Sequence, residues 1–225
     1  MNIKDVIVDY LTRNRISTTE VADALGKRGA LSGVMPINSG HYKAGVIKWV
    51  YAYDESNWPV HEQIQNIEED KIVFVDTFDC KDRAIFGELV SKYLLLYRQS
   101  RAIVVKGKMR DAAALIRQNW PIWCEGYKPV ACVNQRPERV RHEVNIKKFR
   151  EMYDGAIAVC DDCGVVVIPK NMITNEFLKA LHNIENQEDI WFDRLDRYKE
   201  STFQIVCQKK YLEDKFYSYN DEGEK

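Results

Sequence analysis

The sequence predicts an α/β fold, a buried sheet with covering helices, entered and left through helical segments. Three observations lead there. Apolar runs of strand formers, such as Lys71-Ile72-Val73-Phe74-Val75-Asp76 and Ala102 to Val105, recur through the middle of the chain. Stretches with helical spacing of apolar residues alternate with them. The opening residues and everything from Asn171 onward have helical spacing without strand runs.

Ile3, Val6, Ile7, Tyr10 and Leu11 place a helix over 3 to about 13. Ser17-Thr18-Thr19-Glu20 has the capping-box pattern of a second helix through Ala22 and Leu25, with Gly26 as its stop. The glycines from Gly29 to Gly40, with Pro36 and Asn38, read as a loop ahead of a strand at Val46 to Tyr51. A short helix at Pro59 to Ile67 precedes the strand ending on Asp76. A helix from Glu88 to about Arg98, the strand Ala102 to Val105, a helix from Arg110 to about Gln118 and a strand near Ile122 continue the alternation. Short strands at 130–133, 140–144, 156–160 and 165–168 lack long intervening helices, so they predict a second, partly antiparallel layer, stopped by Pro169. The division expected is an α/β domain over 1–170 and a helical C-terminal extension over 171–225. Trp191, Phe192 and Phe216 in that extension suggest packing on a neighbouring subunit, and the chain ends in a polar tail, Asn220 to Lys225.

A chain of 225 residues allows one large domain or a domain with an appendage. With 45% apolar and 30% charged residues it is too hydrophobic for disorder, and no apolar run is long enough to span a bilayer. Thirty-three Lys and Arg against 34 Asp and Glu leave a net charge of -1, which removes the simplest argument for a nucleic-acid or membrane partner. The basic run Arg136, Arg139, Arg141, Lys147, Lys148 and Arg150 is interleaved with Glu138, Glu143 and Glu151, as on an ordinary solvated face. The five tryptophans lack the basic interleaving of RNA-stacking surfaces and read as core or interface anchors. Asp5, Asp9, Arg13, Arg15 and Glu20 break any signal-peptide apolar region, so a cytoplasmic setting with free thiols is expected. Cys160-Asp161-Asp162-Cys163 has the spacing of half a zinc site, but without a second half it reads as thiols at a strand end. His41, His61, His142 and His182 are far apart in sequence, outside any nucleophile motif, and read as structural or exposed.

Two turns carry candidate chemistry. Gly87-Glu88-Leu89 and Gly107-Lys108-Met109-Arg110-Asp111 each deliver a glycine and then an acid to the start of a helix, where unpaired N–H groups favour a carboxylate or phosphate. Arg110 offers a fork for a planar carboxylate, Asp111 a hard oxygen for a metal ion, and Glu88 a group to move a proton. Acids in first turns mostly satisfy the helix dipole, and Arg-Asp neighbours are usually surface charges, so the pattern alone is better read as simple capping.

The stretches Phe86-Gly87-Glu88-Leu89, Val104 to Asp111, Pro121-Ile122-Trp123 and Asp161 to Pro169, in this order, resemble the family that joins the regulator of ribonuclease activity A (RraA) to 4-hydroxy-4-methyl-2-oxoglutarate aldolase. Val21-Ala22-Asp23-Ala24-Leu25 ahead of a glycine loop is similar to the family's opening. The resemblance implies a swivelling β/β/α domain of the RraA-like type, assembled as a homotrimer or homohexamer with sites between subunits. It implies Mg²⁺ or Mn²⁺ on Asp111, the carboxylate of a keto acid on Arg110 and on the turn Gly87, Leu89 and Val90, and Glu88 orienting a water for proton transfer. The function implied is a metal-dependent carbon–carbon lyase, aldolase or decarboxylase, on a short 2-keto acid with pyruvate as common product.

The alternative is a non-catalytic ring-shaped regulator that binds a larger enzyme. Asp111 argues against it, because ribonuclease regulators typically lack an acid after the arginine. Two departures argue for it: the stretch from Glu88 to Arg110 is one residue longer than in the aldolases, and Lys106 stands where an acid is usual; Ala156 in place of an aspartate is a third departure and marks a divergent member.

Overall fold

Helix α1 (Ile3–Asn14) buries Ile7 and Leu11 on its apolar stripe; Asn2 caps it, its side chain accepting from the Asp5 N–H, and Arg15 ends it in the left-handed conformation. Helix α2 (Thr18–Ala24) carries the full reciprocal capping box of Ser17 and Glu20. These elements belong to a computed structural model that describes residues 2–138 and 142–213. Arg139, Val140 and Arg141 of the expected basic run and strand, Phe216 and the polar tail from Asn220 lie outside the described residues.

Strands β2 (Lys43–Tyr53), β3 (Ile72–Phe78), β4 (Ala102–Val105) and β5 (Ile122–Cys124) pair in parallel, with α3 (Trp58–Ile64), α4 (Glu88–Lys92) and α5 (Ala112–Gln118) on their connections. The glycine loop contains a two-residue strand, β1 (Met35–Pro36), which pairs antiparallel with β5. Strands β6 (Ile157–Asp161) and β7 (Gly164–Ile168) form an antiparallel pair. The expectation of a second layer is corrected here, because all seven strands form one sheet in the order β1-β5-β4-β3-β2-β6-β7. The cause is the length of β2, whose Lys43 to Val46 pair with β6 while Ile47 to Tyr53 pair with β3.

The ends of this sheet curl toward one another. Trp123 on β5 donates its indole N–H to the Asp161 carbonyl on β6 at 2.8 Å, and Ala30 bridges to Val166. Inside the curl lie Trp49, Phe74, Val104, Trp123 and Val167, whereas Val73, Val75, Ile103, Leu94 and Leu115 pack on the opposite, helix-covered face. The unbroken apolar runs of β3 and β4 follow from burial on both faces. Each such side chain contributes about 1.5–3 kcal/mol when fully buried.

Two expected strands are absent among the described residues. At 130–133 there are only single bridges, Ala84 to Ala131 and Ser56 to Val133. At 140–144 the described part starts helix α6 (Glu143–Tyr153) and leaves Val144 exposed. The stripe that decides it is Ile146, Phe149 and Tyr153, at helical spacing, packed on the core inside the curl.

The chain divides into two compact units, Met1–Leu178 and Lys179–Lys225. Most of α7 (Asn175–Asp196) falls in the second unit, where buried Arg194 pairs with Glu200 at 3.2 Å and lies over the Tyr198 ring. Among the described residues no helix is long and apolar enough to cross a membrane.

Candidate functional site

The backbone brings the two glycine turns together. Beyond the ends of β3 and β4, Ala84 bridges in parallel to Lys108, the Ile85 N–H donates to the Lys108 carbonyl at 2.8 Å, and the Arg110 N–H donates to the Phe86 carbonyl at 3.0 Å. Ile85 and Met109 are fully buried and anchor this pairing. The residues after each anchor, Gly87 and Arg110 with Asp111, are thereby held side by side.

Asp111 is the N-cap residue of α5 and takes the left-handed conformation, φ 60°. Asp tolerates that region better than most residues. Its carboxylate Oδ2 does not cap its own helix; it accepts from the Glu88 N–H at 3.1 Å, at the start of α4. Arg110 Nε lies 3.7 Å from the same oxygen, with both side chains about half exposed. The absence of a side chain at Gly87 makes this possible, since a Cβ there would lie 2.1 Å from Asp111 Oδ2 and 2.8 Å from Arg110 Cγ. Ser91, fully buried one turn on, donates its hydroxyl to the Gly87 carbonyl at 2.9 Å and fixes the first turn of α4.

A cleft of about 200 Å³ opens at this junction. Of the residues expected at the site, Gly87, Leu89, Val90, Arg110 and Asp111 line it. Glu88 contributes its N–H to the edge, but its side chain is not part of the lining. Asn57 and His61 also line the cleft and were not foreseen. Asn57 is buried and donates to the Ile85 carbonyl at 2.8 Å, while its Oδ1 is buried without a partner. Burial holds the His61 imidazole below its ordinary pKa. An Asn and a His four residues apart around Trp58-Pro59 could have drawn notice, since that spacing puts them on adjacent turns.

Between Glu88 and Arg110 the helix has one irregular turn. Residues Tyr93–Tyr97 form a π turn, closed by the Arg98 N–H donating to the Tyr93 carbonyl at 2.9 Å. Such a turn holds one more residue than an α turn, so the register on either side is kept. Because it lies C-terminal to α4, Glu88 remains at the junction. Of the other departures, Lys106 lies 5.8 Å over the Phe149 ring, and Ala156 is fully buried, with its carbonyl accepting from the Ile47 N–H at 2.8 Å.

A hard-cation site built on Asp111 is chemically consistent: Mg²⁺ takes one or two protein carboxylates and keeps several waters, and the cradle at Gly87 leaves this carboxylate accessible. Among the described residues, a different group of three potential ligands lies together, Asp54, Asp79 and His142, with ligand atoms within 4.8 Å of one another. Asp54 and Asp79 follow the ends of neighbouring strands β2 and β3, and His142 Nε2 is 3.2 Å from Asp54 Oδ1. No motif in the sequence connects these three. Cys160 is fully buried and Cys163 exposed, both as free thiols, as the strand-end reading expects.

Fold and site together define an α/β domain of the kind described by the family model RraA-like: Aldolase/RraA, which matches residues 18–167. The chain belongs to this RraA-like family. A protein of Halalkalibacterium halodurans, provisionally named a 4-hydroxy-4-methyl-2-oxoglutarate aldolase, is 28% identical over 178 residues, covering 77% of this chain and 82% of the relative. This relative supports lyase chemistry at the level of the family. The fold is shared with an uncharacterized protein from Pseudomonas syringae pv. tomato, at TM-score 0.67, 20% identity and coverage of 91% of this chain and 98% of that one. It is also shared with RraAS2 of Streptomyces coelicolor, described as an unusual member of the RNase ES inhibitor RraA family, at TM-score 0.60, 20% identity and coverage of 78% and 91%.

Proposed function

We propose that this chain is a divalent-metal-dependent carbon–carbon lyase acting on a short 2-keto acid, with pyruvate as the common product. The observation that carries the reading is the junction itself: the Asp111 carboxylate lies 3.1 Å from the Glu88 N–H and 3.7 Å from Arg110 Nε, which puts a hard oxygen donor and a carboxylate-binding fork at one cleft. Membership of the family and the aldolase name of the relative support it.

In this reading Arg110 holds the keto-acid carboxylate, and N–H groups of the turn Gly87 to Val90 add donors. Asp111 would hold Mg²⁺ or Mn²⁺, which would supply stabilisation of negative charge developing on the substrate oxygen. Glu88, at the edge of the cleft, would orient a water that takes the proton of the 4-hydroxyl as the C3–C4 bond breaks and its electron pair passes into the enolate; the aldehyde or ketone half leaves, and a proton returns to C3. The same electron sink serves decarboxylation of oxaloacetate. Assembly as a homotrimer or homohexamer in the cytoplasm, with the extension 171–225 packed on a neighbouring subunit, belongs to the same proposal. The exposed apolar side chains of Leu96, Tyr97 and Ile116, on the helices after the two turns, support such an assembly.

The test is to incubate the protein with a panel of 2-keto acids, monocarboxylates as well as 4-hydroxy-4-methyl-2-oxoglutarate and oxaloacetate, with and without Mg²⁺, and to follow pyruvate through lactate dehydrogenase. Metal-dependent turnover that disappears in Asp111→Ala is the expected result. No turnover on any of a broad panel of 2-keto acids would favour the ring-shaped regulator instead.

A further inference from the structure

The candidate cleft does not end at Val90. His61, Leu89 and Val90 also line a second, larger cavity of about 500 Å³ that runs between α3 and α4. Trp58, Ile64 and Tyr93 complete its apolar walls, and the Tyr93 hydroxyl donates to the Gln65 carbonyl at 3.0 Å, tying the two helices together across it. The size is that of a small-molecule site. Among the described residues its lining contains neither lysine nor arginine, and Glu62 at its side adds negative charge. In the adjoining cleft Arg110 is the one Lys or Arg of the lining among the described residues, and Asp111 lies beside it.

We infer that the second cavity receives the half of the substrate that leaves as aldehyde or ketone, and that this half is an apolar group of several carbons, not a second carboxylate. This rests on the lyase reading for the head of the substrate. Charge and burial both favour an apolar tail. A keto acid with one carboxylate matches the single guanidinium of the cleft, and its tail extends past Leu89 and Val90 onto the Trp58 and Tyr93 rings. A second carboxylate would enter apolar walls beside Glu62 without a cation to meet it, which costs several kcal/mol in desolvation. The dicarboxylate in the relative's name is thus a poor match to these walls.

The experiment is calorimetric titration of the full chain, with Mg²⁺ present, using two probes that share a 2-keto acid head, 2-oxo-4-phenylbutanoate and 2-oxoglutarate. The apolar probe should bind at least about tenfold more tightly, the discrimination expected for burying several carbons. Leu89 is 81% exposed, so Leu89→Arg should fold normally and shift the preference toward 2-oxoglutarate by about tenfold or more. Trp58→Ala should weaken only the apolar probe. Equal or reversed affinities, absence of binding by either probe, or an apolar-probe affinity that falls with rising protein concentration, as burial of the cavity against a second copy requires, would overturn the inference. Exchange of pyruvate methyl protons into D₂O reports on the head site alone. Lost exchange with the preference retained would sink the lyase reading and, with it, the assignment of a leaving half, and would leave only the cavity's preference for an apolar tail; retained exchange with the preference lost would sink this inference alone.

Discussion

The Asp111 carboxylate reaches out of its own helix and accepts from the Glu88 N–H of another, at 3.1 Å. This side-chain contact links residues 23 apart in the chain and adds to the backbone pairing of the two turns. It exists because Ile85 and Met109 pin the strands' continuations together and because residue 87 has no side chain.

Gly87→Ala tests that last condition. At φ −143° the backbone lies outside the left-handed region, so the obstacle is contact alone: the new Cβ would sit 2.1 Å from Asp111 Oδ2. The Asp111 carboxylate must then move. Lyase turnover should fall by about 100-fold, the cost of an ångström-scale misplacement. The melting curve followed by circular dichroism should change little. Full activity in Gly87→Ala would mean that the contact is not needed.

Arg110→Lys keeps the charge but removes the planar fork. If Arg110 holds the keto-acid carboxylate, KM should rise by about tenfold or more with a smaller effect on kcat. Steady-state kinetics with the coupled pyruvate assay separates the two, and an unchanged KM would remove Arg110 from substrate binding.

The π turn makes a prediction about deletion. Leu96 is half exposed within Tyr93–Tyr97, and removing it should let the turn revert to α geometry without rotating α4. The variant should fold and retain turnover. Deleting Val90 instead, ahead of the turn, would rotate Glu88 by about 100° and should abolish activity. Comparable losses in both deletions would show that the π turn does not absorb a change of one residue in length.

Much of this architecture was legible. The capping box of Ser17 and Glu20, the doubly buried β3 and the 102–105 strand follow from local patterns that tertiary packing reinforces. Helix α6 was not legible at its start because Val140, Val144 and the residues between them imitate strand alternation, whereas its deciding stripe lies further on at Ile146, Phe149 and Tyr153. The single sheet was hidden for another reason: pairing of one half of β2 with β6 and the other with β3 is a long-range choice. At the site, Gly87, Arg110 and Asp111 could be read from motif resemblance. Asn57 and His61 could not, since they reach the cleft through α3 packing.

Asp76 carries a pH prediction. It is 2% exposed, accepts from the Thr77 N–H at 3.1 Å, and has Oδ2 buried without a partner. Burial pushes its carboxyl above the ordinary value, against the opposing pull of Lys106. The folded chain therefore binds this proton more tightly than the unfolded chain. The contribution of Asp76 to stability is largest below the unfolded value of about 3.9 and is lost as pH rises through the folded value. Asp76→Asn should raise Tm at pH 7, and the gain should vanish at about pH 4. Thermal melts at the two pH values check this, and a lower Tm at pH 7 would contradict it.

The most direct measurement is proton exchange at the methyl group of pyruvate, followed by NMR in D₂O with Mg²⁺, for the wild-type chain and for Asp111→Asn. Enolisation requires the metal donor, the carboxylate clamp and the proton-moving group at one place, and no knowledge of the rest of the substrate. The account predicts Mg²⁺-dependent exchange by the wild type and a loss of about 100-fold or more in Asp111→Asn. Exchange that is absent in the wild type, or equal in the variant, would contradict it.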